Sequence, residues 1–231
     1  MKRIALYLII PLGVPLLLLI NGCMSPDRLS TDEPGLSYEK TKKIGVMPFL
    51  KGKHYTDIDD PTDKTLTCRL DQLCFDSDIL EGKADEILTR LLSNKLKESF
   101  AVRLILLDEI TDTYKEMDID IEVETPRSLA LKLGKQLGAT HMILGVVWRY
   151  TDRVGTAVAV NRPASVAFAV YLLDVETKEK LWKGVFDRTQ QPLSENILDA
   201  PDFFRHGAKW LSASELARFG VGKVVKSLPL K

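Results

Sequence analysis

Two long apolar runs in the second half of the chain constrain the fold most strongly. Residues 141–150 (HMILGVVWRY) predict a long central strand and residues 165–175 (SVAFAVYLLDV) predict another, with a turn region at 151–164 between them. A tight turn at 176–178 (ETK) then leads into a third strand at 180–188 (KLWKGVFDR). These consecutive hairpins predict an antiparallel meander in this half of the sheet.

The first half of the chain predicts two more strands and two helices. Residues 44–49 (IGVMPF) and 102–107 (VRLILL) are short apolar runs typical of buried strands. Thr125 followed by Pro126 supplies an N-cap and a favoured first residue for a helix that Gly138 ends. An earlier amphipathic helix is indicated by apolar residues at helical spacing, namely Leu80, Ala84, Ile87, Leu88, Leu91 and Leu96.

The carboxyl-terminal part predicts a last helix, opened by a capping box between Ser212 and Glu215. The resulting order, β-α-β-α-β-β-β-α, predicts an α/β sandwich with a mixed sheet of about five strands and helices packed on it. We expect one domain over residues 43–231, with a long acidic loop at 50–80 and an aromatic segment and helix at 190–231. Asp118, Asp120 and Glu122 alternate with apolar residues, which predicts a solvent-facing edge strand.

The amino-terminal sequence predicts where in the cell the protein is located. Two basic residues precede an uncharged apolar run at 4–20, and the next residues, ending at Cys23, resemble a bacterial lipoprotein lipobox. The resemblance implies a signal peptide at 1–22 and a Cys23 that carries diacylglycerol on sulfur and a fatty acid such as palmitate on its amine. In such lipoproteins, an aspartate directly after the lipidated cysteine retains the protein at the inner membrane. Because this position is Met24 here, the resemblance favours the periplasmic face of the outer membrane, with residues 23–42 as a lipidated tether. The alternative is an uncleaved anchor with a chance cysteine.

Cys68 and Cys74 are the two remaining cysteines, and five residues separate them in the acidic loop. In an oxidising periplasm they most simply form a disulfide, although reduced or redox-active thiols remain alternatives. Zinc is disfavoured because the three histidines show no ligand spacing relative to them. Calcium binding by the loop aspartates is disfavoured too, because the pattern lacks the glycine and closing glutamate of a calcium loop. The three histidines are His54, His141 and His206, and the loop aspartates considered for calcium are Asp57, Asp59, Asp60 and Asp63.

Catalytic motifs are absent from the sequence. No Gly-x-Ser-x-Gly turn occurs, and residues 220–223 (GVGK) match a phosphate loop only by chance, with Gly220 explained by close helix packing. His141 begins an apolar strand and is interpreted as a core residue. The 32 basic and 32 acidic side chains give no basis for nucleic-acid binding. We therefore expect no enzyme, no cofactor and no metal site.

Several segments together resemble a superfamily of envelope lipoproteins that includes CsgG, LpoB, PelC and the N-terminal domain of TolB. They are residues 43–49 (KIGVMPF), 84–91 (ADEILTRL), 104–108 (LILLD) and 138–145 (GATHMILG), followed by Asp174, Thr177, Trp182 and Gly184. The resemblance covers about residues 43–190 and implies an α/β domain that acts through protein contacts, with ring formation as one form of assembly. It contains no chemical signature.

Phe203, Phe204 and Trp210 cluster beside basic residues and are candidate interface residues, although they could equally cap the core. We expect a lipid-anchored, non-catalytic scaffold or accessory lipoprotein of an envelope export or assembly system, with envelope proteins or further copies of the chain as partners. The alternatives are a regulator of a cell-wall synthase, as LpoB is, and a lipoprotein that binds a metal or small solute.

Overall fold

The computed structural model describes residues 43–52, 54–56, 64–66, 70–71, 80, 82–100, 103–120, 123–191 and 209–230. Its helices are α1 (Ala84–Phe100), α2 (Leu107–Glu116), α3 (Pro126–Gln136) and α4 (Ala213–Lys226). Its strands are β1 (Ile44–Val46), β2 (Leu50–Lys51), β3 (His54–Thr56), β4 (Lys64–Leu66), β5 (His141–Thr151), β6 (Val154–Gly155), β7 (Val160–Arg162), β8 (Ser165–Asp174) and β9 (Lys180–Thr189). The predicted signal peptide and tether lie outside the described residues, as do the calcium candidates and several other named residues: Cys23, Asp57, Asp59, Asp60, Asp63, Cys68, Cys74, Phe203, Phe204 and His206.

The predicted α/β sandwich with a mixed sheet of about five strands is confirmed. Strands β1 and β2 both pair in parallel with β5, and the sheet continues through β8 to β9 in antiparallel order. Helices α1 and α4 pack on one face of the sheet, in a core that includes Phe168 and Trp182. Helices α2 and α3 pack on the other face, in a core that includes Met142 and Leu173. The sheet is therefore covered by helices on both faces.

Local sequence signals explain where the helices begin and end. Thr125 accepts a hydrogen bond from the backbone of Ser128 and forms a complete capping box at α3. Gly138 ends that helix with a φ of +62°, a left-handed conformation that glycine adopts without steric cost. Ser212 and Glu215 form the predicted capping box at α4. These three predictions are confirmed.

The strand predicted at residues 102–107 is wrong over its described residues, 103–107. Leu104 makes a single parallel bridge to Ile44, and α2 begins three residues later, at Leu107. The segment turns into a helix because the spacing of Leu107, Ile110 and Tyr114 is helical, with Ile110 fully buried. The sheet still has five strands, because a second short strand, β2, follows the predicted run at 44–49. Of that run only residues 44–46 form a strand, and residues 47–49, which include Pro48, separate β1 from β2.

The edge strand predicted from Asp118, Asp120 and Glu122 is also wrong over its described residues. Residues 118–120 form no strand, and the Asp120 carbonyl accepts hydrogen bonds from the backbone N–H groups of Val123 and Glu124, at 3.1 and 2.8 Å. This turn leads directly into α3. The predicted long loop at 50–80 is more ordered than expected in one respect, since it contains β2 and the antiparallel pair of β3 and β4.

Gly220 confirms the packing explanation for the GVGK sequence, which lies inside α4. A Cβ atom at Gly220 would lie 2.5 Å from the ring of Phe186, so only glycine allows the helix this close to β9.

Candidate docking surface

A short hairpin projects between β5 and β8, where the sequence predicted only a turn region. It consists of β6, a turn and β7, and the turn is closed by the Thr156 N–H, which donates to the Ala159 carbonyl at 2.8 Å. Gly155 has a φ of +120°, and a Cβ atom there would lie 2.5 Å from the Ala159 oxygen. The hairpin therefore needs glycine at this position.

The β6–β7 hairpin exposes apolar side chains. Residues 154–160 (VGTAVAV) contain no charged residue, and the exposed fractions of Val154 and Val158 are 45% and 84%. Among the described residues, only four large hydrophobic residues are exposed, and two of them are on this hairpin. Exposed apolar side chains that lie close together are common at interaction sites, so this hairpin is a candidate docking surface.

Asp152 fixes the base of the hairpin to the N-terminus of α4. Its Oδ1 accepts hydrogen bonds from the backbone N–H groups of Arg153 and Ala213, both at 2.8 Å. The N–H of Ala213 is one of the helix-end donors that have no intrahelical partner, and a carboxylate at this end is favoured by the helix dipole. The hairpin is thus positioned by a capped helix.

A second set of contacts joins the hairpin to the residues that precede α4. The Trp210 N–H donates to the Ala157 carbonyl at 2.8 Å, and Arg153 Nη1 donates to the Trp210 carbonyl at 3.0 Å. Arg153 Nη1 also lies 3.6 Å from Glu215 Oε2. Trp210, which is partly buried, therefore lies beside the hairpin tip.

Glu215 is the centre of this polar network. Its Oε1 accepts from Lys209 Nζ at 2.8 Å, and its Oε2 accepts from the Ser212 N–H at 2.8 Å. The hydrogen bond from Lys209, followed by the backbone hydrogen bond from Ser212, lowers the pKa of Glu215 to about 2. The carboxylate is therefore charged throughout the physiological pH range.

We expect the charge of Glu215 to stabilise the fold in a pH-dependent way. Because its pKa falls from 4.5 to about 2 on folding, the contribution is complete above pH 4.5 and is lost as the pH falls towards 2. Solvent screening at this 40% exposed side chain limits it to about 1 kcal/mol. Glu215→Gln, which keeps the capping hydrogen bond, should lower Tm at pH 7 by about 2–4 °C and by progressively less at acid pH. A difference in Tm that stays constant between pH 7 and pH 3 would contradict this.

His141 is confirmed as a core residue. It is 2% exposed, its Nδ1 lies 3.0 Å from Thr140 Oγ1, and its Nε2 lies 3.8 Å from Asp174 Oδ2. Burial lowers the pKa of His141, and the nearby Asp174 opposes this effect. The imidazole lies inside the fold, where it contacts neighbouring residues of the sheet.

Of the three interface candidates, the structure places Trp210 at the hairpin and does not describe Phe203 or Phe204. In the described part of the chain, no group of three or more histidine, cysteine or acidic residues is arranged to hold a metal ion. None of the described helices has the length and apolar character required to cross a membrane.

Comparison with known proteins finds solved structures with a similar fold but assigns the chain to no protein family. No protein-family model matches the chain, and no curated protein matches it. The PelC dodecamer from Paraburkholderia phytofirmans matches with a TM-score of 0.48 and 13% identity, over 88% of this chain and 98% of that one. Lipoprotein GNA1162 from Neisseria meningitidis has a TM-score of 0.41 and 13% identity, over 72% and 96% of the two chains. The LpoB C-terminal domain from Salmonella enterica has a TM-score of 0.39 and 12% identity, over 65% and 84%.

Proposed function

We propose that this chain is a lipid-anchored, non-catalytic accessory lipoprotein of an envelope export or assembly system. It docks a protein partner through the β6–β7 hairpin and the adjoining Trp210. The observation that carries the proposal is the exposed, uncharged tip around Val158, held by hydrogen bonds to the start of α4.

The fixed position of the hairpin favours docking of a protein. Rigid surfaces bind with a smaller loss of conformational entropy than mobile ones. Here Asp152 joins the base of the hairpin to the first residue of α4, and Arg153 joins it to Trp210, which precedes that helix. An apolar tip surrounded by charged residues has the composition of an interface centre with a polar rim. The charged residues beside the tip include Arg153 and Lys209, both of which pair with Glu215.

The proposed cellular location follows from the lipobox-like sequence. We propose that Cys23 is acylated and attaches the protein to the periplasmic face of the outer membrane. Cells grown with radiolabelled palmitate should incorporate the label into this chain and not into its Cys23→Ser variant, because the acyl chains are attached at Cys23. Equal labelling of the two chains, or no labelling of either, would contradict acylation at Cys23.

We also propose that Cys68 and Cys74 form a disulfide. Two residues between them contact α3: the Leu70 carbonyl accepts from the Arg127 N–H at 2.9 Å, and the Asp71 carboxylate pairs with the Arg127 guanidinium at 2.6 and 2.9 Å. A disulfide between Cys68 and Cys74 would close a short ring that contains Leu70 and Asp71. The ring would reduce the conformational freedom of this segment, so less entropy would be lost when Asp71 pairs with Arg127. Alkylation without reduction, followed by mass spectrometry, should find neither thiol modified, whereas two modified thiols would exclude the disulfide.

The partner is sought by crosslinking intact cells and purifying the lipidated chain through an affinity tag. We expect one or more envelope proteins in stoichiometric amounts relative to the chain. Recovery of the chain alone would contradict the proposal. Recovery of a discrete multimer of this chain alone, confirmed by light scattering, would instead assign the hairpin to self-assembly.

A further inference from the structure

The tip of the β6–β7 hairpin is built from small residues. Its four residues, 156–159 (TAVA), follow Gly155 and include two alanines. Val158 has the largest apolar side chain of the four and is 84% exposed, and Ala159 beside it is exposed as well. Because the side chains around the valine are small, the surface of another protein can approach the backbone of the tip from both sides. The tip therefore has the form of a narrow apolar projection.

The N–H groups of the tip already have acceptors within the chain. The Thr156 N–H donates to the Ala159 carbonyl at 2.8 Å. The Thr156 hydroxyl oxygen accepts from the Val158 N–H at 3.4 Å and from the Ala159 N–H at 3.1 Å. Three of the four N–H groups in residues 156–159 are thus hydrogen-bonded by the loop itself. A backbone N–H group is costly to bury without a partner, so this loop loses little when water is removed from it.

The backbone of the tip is also fixed from outside the hairpin. The Ala157 carbonyl accepts from the Trp210 N–H at 2.8 Å, which gives the residue before Val158 a further hydrogen bond. Valine adds little side-chain freedom of its own, because branching at Cβ restricts its rotamers. The projection is therefore held in one conformation before any partner binds, and little entropy is lost when it is buried.

We propose that residues 156–159 insert into a narrow apolar cleft of the partner protein. This inference rests on the docking through the β6–β7 hairpin proposed above, and it adds the shape of the surface that the partner presents. A flat surface would leave the sides of the loop in water, which would satisfy the N–H groups without help from Thr156. In a cleft, Thr156 is a positioning residue, because its hydroxyl is the acceptor that two of the N–H groups keep when water is excluded.

Two substitutions separate a cleft from a flat apolar surface, because their effects have opposite signs in the two cases. Thr156→Val keeps the shape of the side chain and removes the acceptor, so it should lower partner recovery about tenfold or more in a cleft. Ala159→Phe should lower recovery by a similar factor, because the ring prevents the walls of the cleft from closing on the loop. Against a flat surface both variants add apolar area, and recovery should be unchanged or higher.

The variants are made in the full-length chain, and the partner is recovered from crosslinked intact cells and quantified by mass spectrometry. Thr156→Ser, which keeps the hydroxyl, should stay within about threefold of the native chain. Val123→Phe, which adds the same ring at an exposed valine outside the hairpin, should leave recovery unchanged. Tm should stay within about 2 °C of the native value in all four variants, since the substituted residues are exposed.

Recovery that is unchanged or increased by both Thr156→Val and Ala159→Phe would overturn the cleft, while docking through the hairpin would stand. Equal losses in Thr156→Val and Thr156→Ser would overturn the role of the Thr156 hydroxyl. If the native chain recovers no envelope protein, the proposed function itself is contradicted, and the cleft with it.

Discussion

Phe168→Ala is expected to lower the free energy of unfolding by about 3–5 kcal/mol, the range for removing a buried aromatic ring from a close-packed core. Phe168 is 0% exposed at the centre of β8. Its ring centroid lies 5.9 Å from that of Phe49, edge to face, and 5.5 Å from that of Phe186. The loss combines the transfer energy of the ring with the cost of the cavity that remains.

The surroundings of Phe168 explain why the cavity cannot collapse. A Cβ atom at Gly145 would lie 2.3 Å from the Phe49 ring, and one at Gly220 would lie 2.5 Å from the Phe186 ring. The neighbouring rings are thus already seated against backbone and have little room to move. The aromatic row continues to Phe219, whose ring centroid is 6.2 Å from that of Phe186.

Urea denaturation followed by tryptophan fluorescence measures this effect, because Trp182 is buried in the same core. Phe219→Ala is the matched control, since Phe219 is only partly buried at the end of the row, and it should cost less than half as much. A loss below about 1 kcal/mol for Phe168→Ala would contradict the packing described for this face of the sheet.

Replacing both exposed valines of the β6–β7 hairpin, by Val154→Asp and Val158→Asp, should reduce partner recovery by about 30-fold or more. Placing a carboxylate in an apolar interface centre costs about 2 kcal/mol or more, because the charge loses water without gaining a partner. The free energy of unfolding should change by less than about 0.5 kcal/mol, since both side chains are exposed in the isolated chain. The measurements are quantitative mass spectrometry of the purified complex and Tm.

Val123→Asp provides the matched control. Val123 is 71% exposed in the turn before α3, so this substitution adds one carboxylate at another exposed valine and is compared with the single Val158→Asp variant as well as with the double one. We expect it to leave partner recovery unchanged. Equal losses in the two variants would show that net charge, and not the hairpin, governs the interaction.

The sequence predicted the elements whose signals are local and strong. The runs that became β5, β8 and β9 are long and apolar, and the caps at Thr125 and Ser212 have side chains that satisfy helix N–H groups within three residues. The strand predicted at residues 102–107 was wrong because an apolar run of this length is compatible with a strand and equally with the residues that lead into a helix. Only the tertiary structure limits its pairing to the bridge between Leu104 and Ile44.

The candidate docking surface was predicted only in part. Aromatic composition pointed to Trp210, but the hairpin beside it was interpreted as a turn region. Its sequence signal was the uncharged stretch 154–160 with Gly155 near the start, whereas its position depends on Asp152, which caps a helix 61 residues later in the chain. Such a long-range hydrogen bond leaves no pattern in a single sequence.

Photo-crosslinking in intact cells tests the central claim most directly. A benzophenone amino acid is placed at position 158 of the full-length chain, and the same residue at position 123 serves as the comparison, since both native valines are exposed. We predict that irradiation yields a discrete adduct with another envelope protein from position 158 and none from position 123. Adducts at position 158 that contain only lipid, or no adduct there at all, would contradict docking of a protein through the β6–β7 hairpin.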